Sequence, residues 1–244
     1  MTSSLRDLKV YTTYPHRCSY LEDQEATTVF IDPRQPIDQA LYTRLSLMGF
    51  RRSGGHVYRP NCRQCNACIS ARIPVKSFRP NRTQRRTWRQ NSDLTVTRTD
   101  NIDDDAAYNL YHRYIVERHS DGDMYPPDRD QYQSFLSNAW DCTSYYRFHA
   151  GEQLVAIAVV DVMLDGLSAI YTFYDPDESS RSLGRYAILW QIETTLELDL
   201  PYLYLGYWIR NCGKMAYKSD YRPLELLLEN RWQKADDDIL ASDS

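Results

Sequence analysis

Residues 144–174 constrain the fold most tightly, because helical spacing gives way there to three β-rich runs, at 145–149, 153–164 and 167–174. Gly151-Glu152 and Asp165-Gly166 separate the runs, and short turns of this chemistry reverse a strand onto its neighbour. Tyr, Phe, Val and Ile dominate the runs, as a pleated, half-buried surface favours. A meander of three antiparallel strands must be covered on at least one face. The following segments offer that cover: a helix from 182 to about 198, a strand at 201–205, a short helix at 211–219 and a last strand at 223–228. This order predicts an α+β fold with one mixed sheet and flanking helices.

Upstream, the pattern predicts a smaller α+β unit. Thr27-Thr-Val-Phe-Ile31 reads as a strand ending at Asp32-Pro33, and Ile37, Leu41, Leu45 and Met48 recur at helical spacing before Gly49. Residues 69–75 read as a short strand. Asn81 is placed to cap a helix that presents Arg82, Arg85, Arg86 and Arg89 on one face, since they lie three and four apart. An acidic seam at 100–105 is the expected boundary between a cysteine-containing, Arg-rich domain (1–100) and a second domain (101–244). The seam also starts a helix running to about His119, and after a loop Asp128 caps another, expected through Trp140.

Charge separates the two halves. Between Arg51 and Ser92 stand eleven basic residues and no acidic one, leaving 18 basic against 33 acidic residues elsewhere, so a chain of net charge −4 contains a cationic island. The island is almost all Arg, whose planar fork suits phosphate oxygens, so a polyanionic partner is expected; the alternative is a solvated basic face. Four of the six cysteines fall near or in it. Cys62-Arg-Gln-Cys65-Asn-Ala-Cys68 spaces three thiolates for one metal ion or cluster, and Cys18 is the candidate fourth ligand. Zinc and an iron–sulfur cluster both remain open, as does a set of packed, metal-free thiols. Cys142 and Cys212 read as isolated and structural. No run approaches the ~20 apolar residues of a membrane span and no apolar signal core follows Met1, so a cytoplasmic protein without a membrane partner is expected.

The order of elements resembles the N-acetyltransferase-like (GNAT) fold, with Arg181-Ser-Leu-Gly184 where such folds place a pyrophosphate-gripping loop; Arg185-Tyr186 stand where that loop has a further small residue. More specific wording runs through the chain. His16-Arg-Cys18-Ser-Tyr20-Leu21, Phe50-Arg51-Arg52-Ser53-Gly54, Tyr58-Arg-Pro-Asn-Cys62 through Cys68, Arg72-Ile-Pro-Val75 and Gln84-Arg85-Arg86 resemble the N-terminal half of the aminoacyl-tRNA–protein transferase family. Tyr171-Thr-Phe-Tyr174-Asp175-Pro176, Arg181-Ser-Leu-Gly184, Tyr202-Leu-Tyr-Leu-Gly206-Tyr207-Trp208-Ile209 and Lys214-Met-Ala-Tyr217-Lys218 resemble its C-terminal half. The wording is most similar to the bacterial leucyltransferase branch. The resemblance implies transfer of leucine from charged tRNA to proteins beginning with Asp or Glu, marking them for N-end-rule degradation; the sister branch transfers arginine.

That reaction is attack by a free α-amine on an activated ester. The amine has a pKa near ~7.7–8, so a useful fraction is neutral at physiological pH and positioning does much of the work. No cofactor is required for this chemistry, and no Ser-His-Asp or Cys-His set is evident. Candidates for moving the protons are Tyr174, Asp175 and Tyr207. Arg181, Lys214 and Lys218, all within the family-like motifs, are candidates for binding the acceptor's carboxylate, and Arg82, Arg85 and Arg86 for binding tRNA. Two other readings stay open: an acetyl-coenzyme A-dependent amine acetyltransferase, and a non-catalytic RNA-binding metal module fused to a structural domain.

Overall fold

The computed structural model describes residues 8–137 and 140–241. The chain begins with β1 (Val10–Thr12), β2 (His16–Arg17), β3 (Glu25–Ala26), β4 (Thr28–Ile31), α1 (Gln39–Leu47), β5 (Arg51–Ser53), β6 (His56–Pro60) and β7 (Ile69–Pro74). It continues through α2 (Arg82–Gln90), β8 (Leu94–Thr99), α3 (Asp105–Arg118), α4 (Arg129–Tyr132), β9 (Thr143–Ala150), β10 (Gln153–Val162), β11 (Gly166–Tyr174) and α5 (Leu183–Glu197). It ends with β12 (Tyr202–Trp208), α6 (Gly213–Ala216), β13 (Glu225–Leu228), β14 (Arg231–Lys234) and α7 (Asp237–Ala241). Among the described residues, no helix is long and apolar enough to cross a membrane.

Two compact units share this chain, and neither is continuous in sequence. One gathers the chain up to Arg79, the turn Met163–Gly166 and everything from Pro201 onward; the other holds Pro80–Val162 and Leu167–Leu200. The acidic seam at 100–105 lies inside the second unit, between β8 and α3.

In the first unit, β1, β4, β6 and β5 form one antiparallel sheet, and the order β14-β13-β7-β12 forms a second antiparallel run. β7 is the element that departs from expectation. Arg72 lies opposite Tyr204 on one side and Glu225 on the other, so an N-terminal strand separates two C-terminal ones. Its four central residues are buried, which a strand flanked on both edges allows. α1 begins where Asp38 accepts the Leu41 amide at 2.7 Å.

In the second unit the expected meander forms as β11-β10-β9, and β8, which the sequence pattern did not predict, extends it as an edge strand. Two register shifts, at Val159/Val160 and between Leu154 and Ala156, bend β10. α3 lays Ala107, Leu110, Tyr111 and Ile115 on the sheet residues Ile157, Val159 and Phe173, with Tyr132 and Tyr145 completing the core. Tyrosine serves here because its hydroxyl finds a carbonyl: Tyr132 donates to Ile102 at 2.7 Å and Tyr145 to Leu136 at 2.8 Å. Leaving either hydroxyl unpaired would cost about 1–3 kcal/mol. The helix expected from 128 through Trp140 changes type along its length, and positions 138 and 139 of that expectation lie outside the described residues. α4 has one turn and passes into a π-helical turn, Gln133–Ser137.

α2 is held by a reciprocal cap. The Gln84 amide donates to Asn81 Oδ1 at 2.9 Å and the Asn81 amide to Gln84 Oε1 at 2.8 Å. Thr87 and Gln84 face inward while Trp88 leans on Tyr186 of α5, which leaves the arginines outside.

Candidate functional site

A cavity of about 240 Å³ opens in the second unit where β11 passes into α5. Its lining includes Tyr174, Glu178, Ser182, Gly184 and Arg185, with Arg118 from the end of α3. Between Tyr174 and α5 the chain makes a tight helical turn, Pro176–Arg181, started by Asp175. Ser182 then adopts a left-handed conformation (φ 54°) and its side chain does not cap α5, unlike a conventional Ser N-cap. Gly184 has a steric reason: a Cβ there would sit 3.1 Å from the Tyr174 ring and push it. The Tyr174 ring also packs edge-on against Tyr114 at 4.8 Å. Tyr174, one of the proton-moving candidates, therefore lines the cavity.

Asp175 points away from solvent into a set of donors. Arg113 reaches it at 2.9 and 3.3 Å, Gln153 at 3.1 Å and the Asp177 amide at 3.0 Å, while Arg113 also binds the Asp177 carboxylate at 2.7 Å. A carboxylate so engaged fixes the end of β11. Arg113 and Gln153 lie outside every motif singled out in the sequence, and nothing local marks them.

Arg181 is equally committed. Its Nη1 and Nη2 bind the two oxygens of Asp93 at 2.8 and 2.9 Å, and its Nε binds Glu178 at 2.9 Å. The Arg181 hydrogen bonds hold the Asp93 carboxyl below the usual carboxylate range.

The other site candidates belong to the first unit. Tyr207 is buried and donates to the Gly49 carbonyl at 2.9 Å, and burial pushes its phenol well above the ordinary value. Lys218 is buried too; burial lowers its ammonium to about 8, and Nζ lies 3.1 Å from the Met215 sulfur. Lys214, on α6, is exposed.

Cys18, Cys62, Cys65 and Cys68 are all half-buried free thiols. Burial pushes Cys68 up to about 12, reinforced by the thiols of Cys18, Cys62, Cys65 and also Cys212, which looks isolated in the sequence. Cys62 donates to the Thr27 carbonyl and the Tyr20 amide to the Cys18 sulfur. Among the described residues, no three His, Cys, Asp or Glu side chains converge as metal ligands do. Among the described residues, these four thiols therefore do not form a ligand shell.

The basic island divides in two. Arg51, Arg52 and Arg72 are buried. Arg51 donates to Phe50 and Ser46 carbonyls, Arg52 to that of Gly54, and Arg72 binds Glu225 at 2.7 Å while stacking over Tyr202 at 3.5 Å. On α2, by contrast, Arg82, Arg85, Arg86 and Arg89 are exposed, and among the described residues no carboxylate pairs with Arg82, Arg86 or Arg89. Arg85 donates to the Pro80 carbonyl. This face presents uncompensated positive charge to solvent.

Comparison with known proteins adds to this geometry. The model described as arginine-tRNA-protein transferase, N terminus, matches residues 16–86, and that described as arginine-tRNA-protein transferase, C terminus, matches 106–228. A protein of Teredinibacter turnerae named aspartate/glutamate leucyltransferase is 56% identical over 235 residues, covering 96% of this chain and 97% of its own. One of the same name from Pseudomonas putida is 56% identical over 230 residues, covering 94% and 98%. Among solved structures, that of L-PGS from Bacillus licheniformis superposes with a TM-score of 0.44 at 10% identity, covering 58% of this chain and 45% of that one.

Proposed function

The chain belongs to the arginine-tRNA-protein transferase family, and on that premise we propose that it transfers leucine from Leu-tRNA to the N-terminal α-amine of proteins beginning with Asp or Glu. The observation that carries the donor and acceptor assignment is 56% identity, over nearly the full chain, to proteins named aspartate/glutamate leucyltransferase. The exposed arginines of α2 support the nucleic-acid half of the reading, because a charged tRNA is a polyanion that such a face attracts. The meander followed by α5 supports an N-acetyltransferase-like fold for the second unit.

In this reading the cavity beside Tyr174 receives the aminoacylated end of the tRNA. The amine attacks the ester carbonyl, the carbon–oxygen bond to the ribose breaks, and the ribose oxygen leaves with a proton. Neither a metal nor a strong base is needed, because part of the amine is already neutral at physiological pH and the ester is activated. Of the three proton-moving candidates, the Tyr174 side chain lines the cavity, whereas the Asp175 carboxylate is engaged by Arg113 and Gln153 and the Tyr207 hydroxyl by Gly49. Tyr174 is therefore the residue we assign to hydrogen bonding at the reacting atoms, and Asp175 and Tyr207 the ones we assign to holding their strands. Exposed Lys214 is the remaining candidate for the acceptor carboxylate. Modified acceptors become N-end-rule substrates, and the cytoplasm is the proposed location.

The test is a side-by-side assay of purified protein with labelled Leu-tRNA, Arg-tRNA or acetyl-coenzyme A and peptides beginning with Asp, Glu or Lys. Leucine transfer to the Asp and Glu peptides is expected. Arginine transfer that equals or exceeds it reassigns the donor, acetylation without tRNA reassigns the reaction class, and equal use of the Lys peptide removes the cationic acceptor site.

A further inference from the structure

We propose that Arg181 is a positioning residue that registers the basic helix α2 against the cavity beside Tyr174, so that a tRNA held along α2 presents its charged end there. The proposal rests on the transfer reading above and assigns Arg181 a role other than acceptor binding.

Three side chains at the end of α2 reach the segment that forms the cavity rim. Gln90 donates to the Ser180 carbonyl at 2.8 Å, Asn91 donates to the Arg181 carbonyl at 2.8 Å, and Asp93 takes the outer fork of Arg181. Asn91 is fully buried and also donates to Thr87 within its own helix, so its hold on Arg181 is continuous with the helix backbone. On its other edge Arg181 binds Glu178, which lines the cavity. The chain of interactions thus runs from α2 through Asp93, Arg181 and Glu178 to the cavity itself.

A guanidinium offers a carboxylate two paired approaches, one across Nη1 and Nη2 and one along the Nε edge. Asp93 occupies the first and Glu178 engages the second. An acceptor carboxylate arriving at Arg181 would have to displace one of them. What the arrangement does provide is a ruler. From Arg82 to Gln90 the helix rises about 12 Å at ~1.5 Å per residue, and the clamp at its end keeps that distance fixed relative to Tyr174. Phosphates bound by Arg82, Arg85 and Arg86 would then determine where the ester lies, and near-attack placement is what this chemistry depends on.

The experiment compares wild type, Arg181→Asp, Asp93→Arg, the double swap, Asp93→Asn and Arg181→Lys in steady-state leucine transfer, with direct measurement of Leu-tRNA binding. Each single charge reversal should lower kcat at least tenfold while KM for an Asp peptide and Kd for Leu-tRNA stay within about twofold. The double swap should recover at least threefold of the loss, and Arg181→Lys, which keeps charge without the fork, should fall between. Asp93→Asn, at an exposed position, supports the same comparison should a reversal unfold the protein. A selective rise in KM for the Asp peptide, unrelieved by the swap, would overturn the proposal in favour of acceptor binding. Wild-type kcat in both Asp93 variants would overturn it as well. Absence of leucine transfer by the wild type itself identifies failure of the underlying function, and the proposal falls with it.

Discussion

Arg51, Arg52 and Arg72 share one unbroken basic stretch of sequence with Arg82, Arg85, Arg86 and Arg89, and the two groups have opposite physical fates. The first three are desolvated and spend their donors on carbonyls, on Glu225 and on tyrosine faces inside the first unit. The four on α2 stand in solvent without a carboxylate to neutralise them among the described residues. Net charge along a sequence therefore overstated the size of the exposed cationic surface. A cation contributes to a long-range field in proportion to its exposure, and a buried one is a structural element that demands partners.

The largest effect expected from this contrast is on stability. Arg72→Met strips Glu225 of its partner and Tyr204 of a donor, and removing one member of a buried pair costs about 3–5 kcal/mol. Denaturant unfolding should show a loss near the lower end, because Glu225 keeps some access to water. An unchanged midpoint would place Arg72 with the surface group.

Lys218 extends the contrast to a titrating cation. Its ammonium is lowered to about 8 in the folded chain from an ordinary value of 10.5, so the unfolded chain binds more protons between those pH values and stability rises with pH across that window. Below pH 8 the full penalty of burying the charge is present, on the order of 3 kcal/mol. Lys218→Met should stabilise the protein at pH 7 and lose that advantage as pH rises from 8 towards 10.5. A flat difference across the window would contradict the burial account.

Asn81→Ala tests α2 without touching a charge. Loss of the reciprocal cap should lower stability by about 1 kcal/mol while the salt dependence of tRNA binding remains that of the wild type. A change in that dependence would mean the helix start itself touches the nucleic acid.

How much of this was legible in the sequence depended on whether the cause was local. The β9–β11 meander, the Asn81 cap and the arginine face of α2 follow from turn chemistry and three-to-four spacing, and all appear. Insertion of β7 between β12 and β13 joins Ile69 to Trp208, a pairing no neighbouring residue encodes. β8 alternates along Leu94–Thr99 but is mostly solvent-facing, which weakened its signal beside the acidic seam. The motif named Tyr174 as a candidate and gave no sign of Arg113, which sits 62 residues from the Asp175 it holds. The motif named Arg181 as an acceptor-binding candidate but gave no sign of its carboxylate partners Asp93 and Glu178, because a motif names a residue without naming what it touches.

We propose that charged tRNA is held by the exposed arginines of α2 and by none of the buried ones. The most direct test is Leu-tRNA affinity measured across a salt series for wild type, the triple variant Arg82→Ala/Arg85→Ala/Arg86→Ala, and Arg72→Met under conditions where it is folded. Every phosphate that is no longer neutralised should reduce the logarithmic salt slope by about one. The triple variant should thus bind more weakly with a slope flatter by about two to three, and Arg72→Met should keep the wild-type slope. A triple variant with wild-type affinity and slope would contradict the claim.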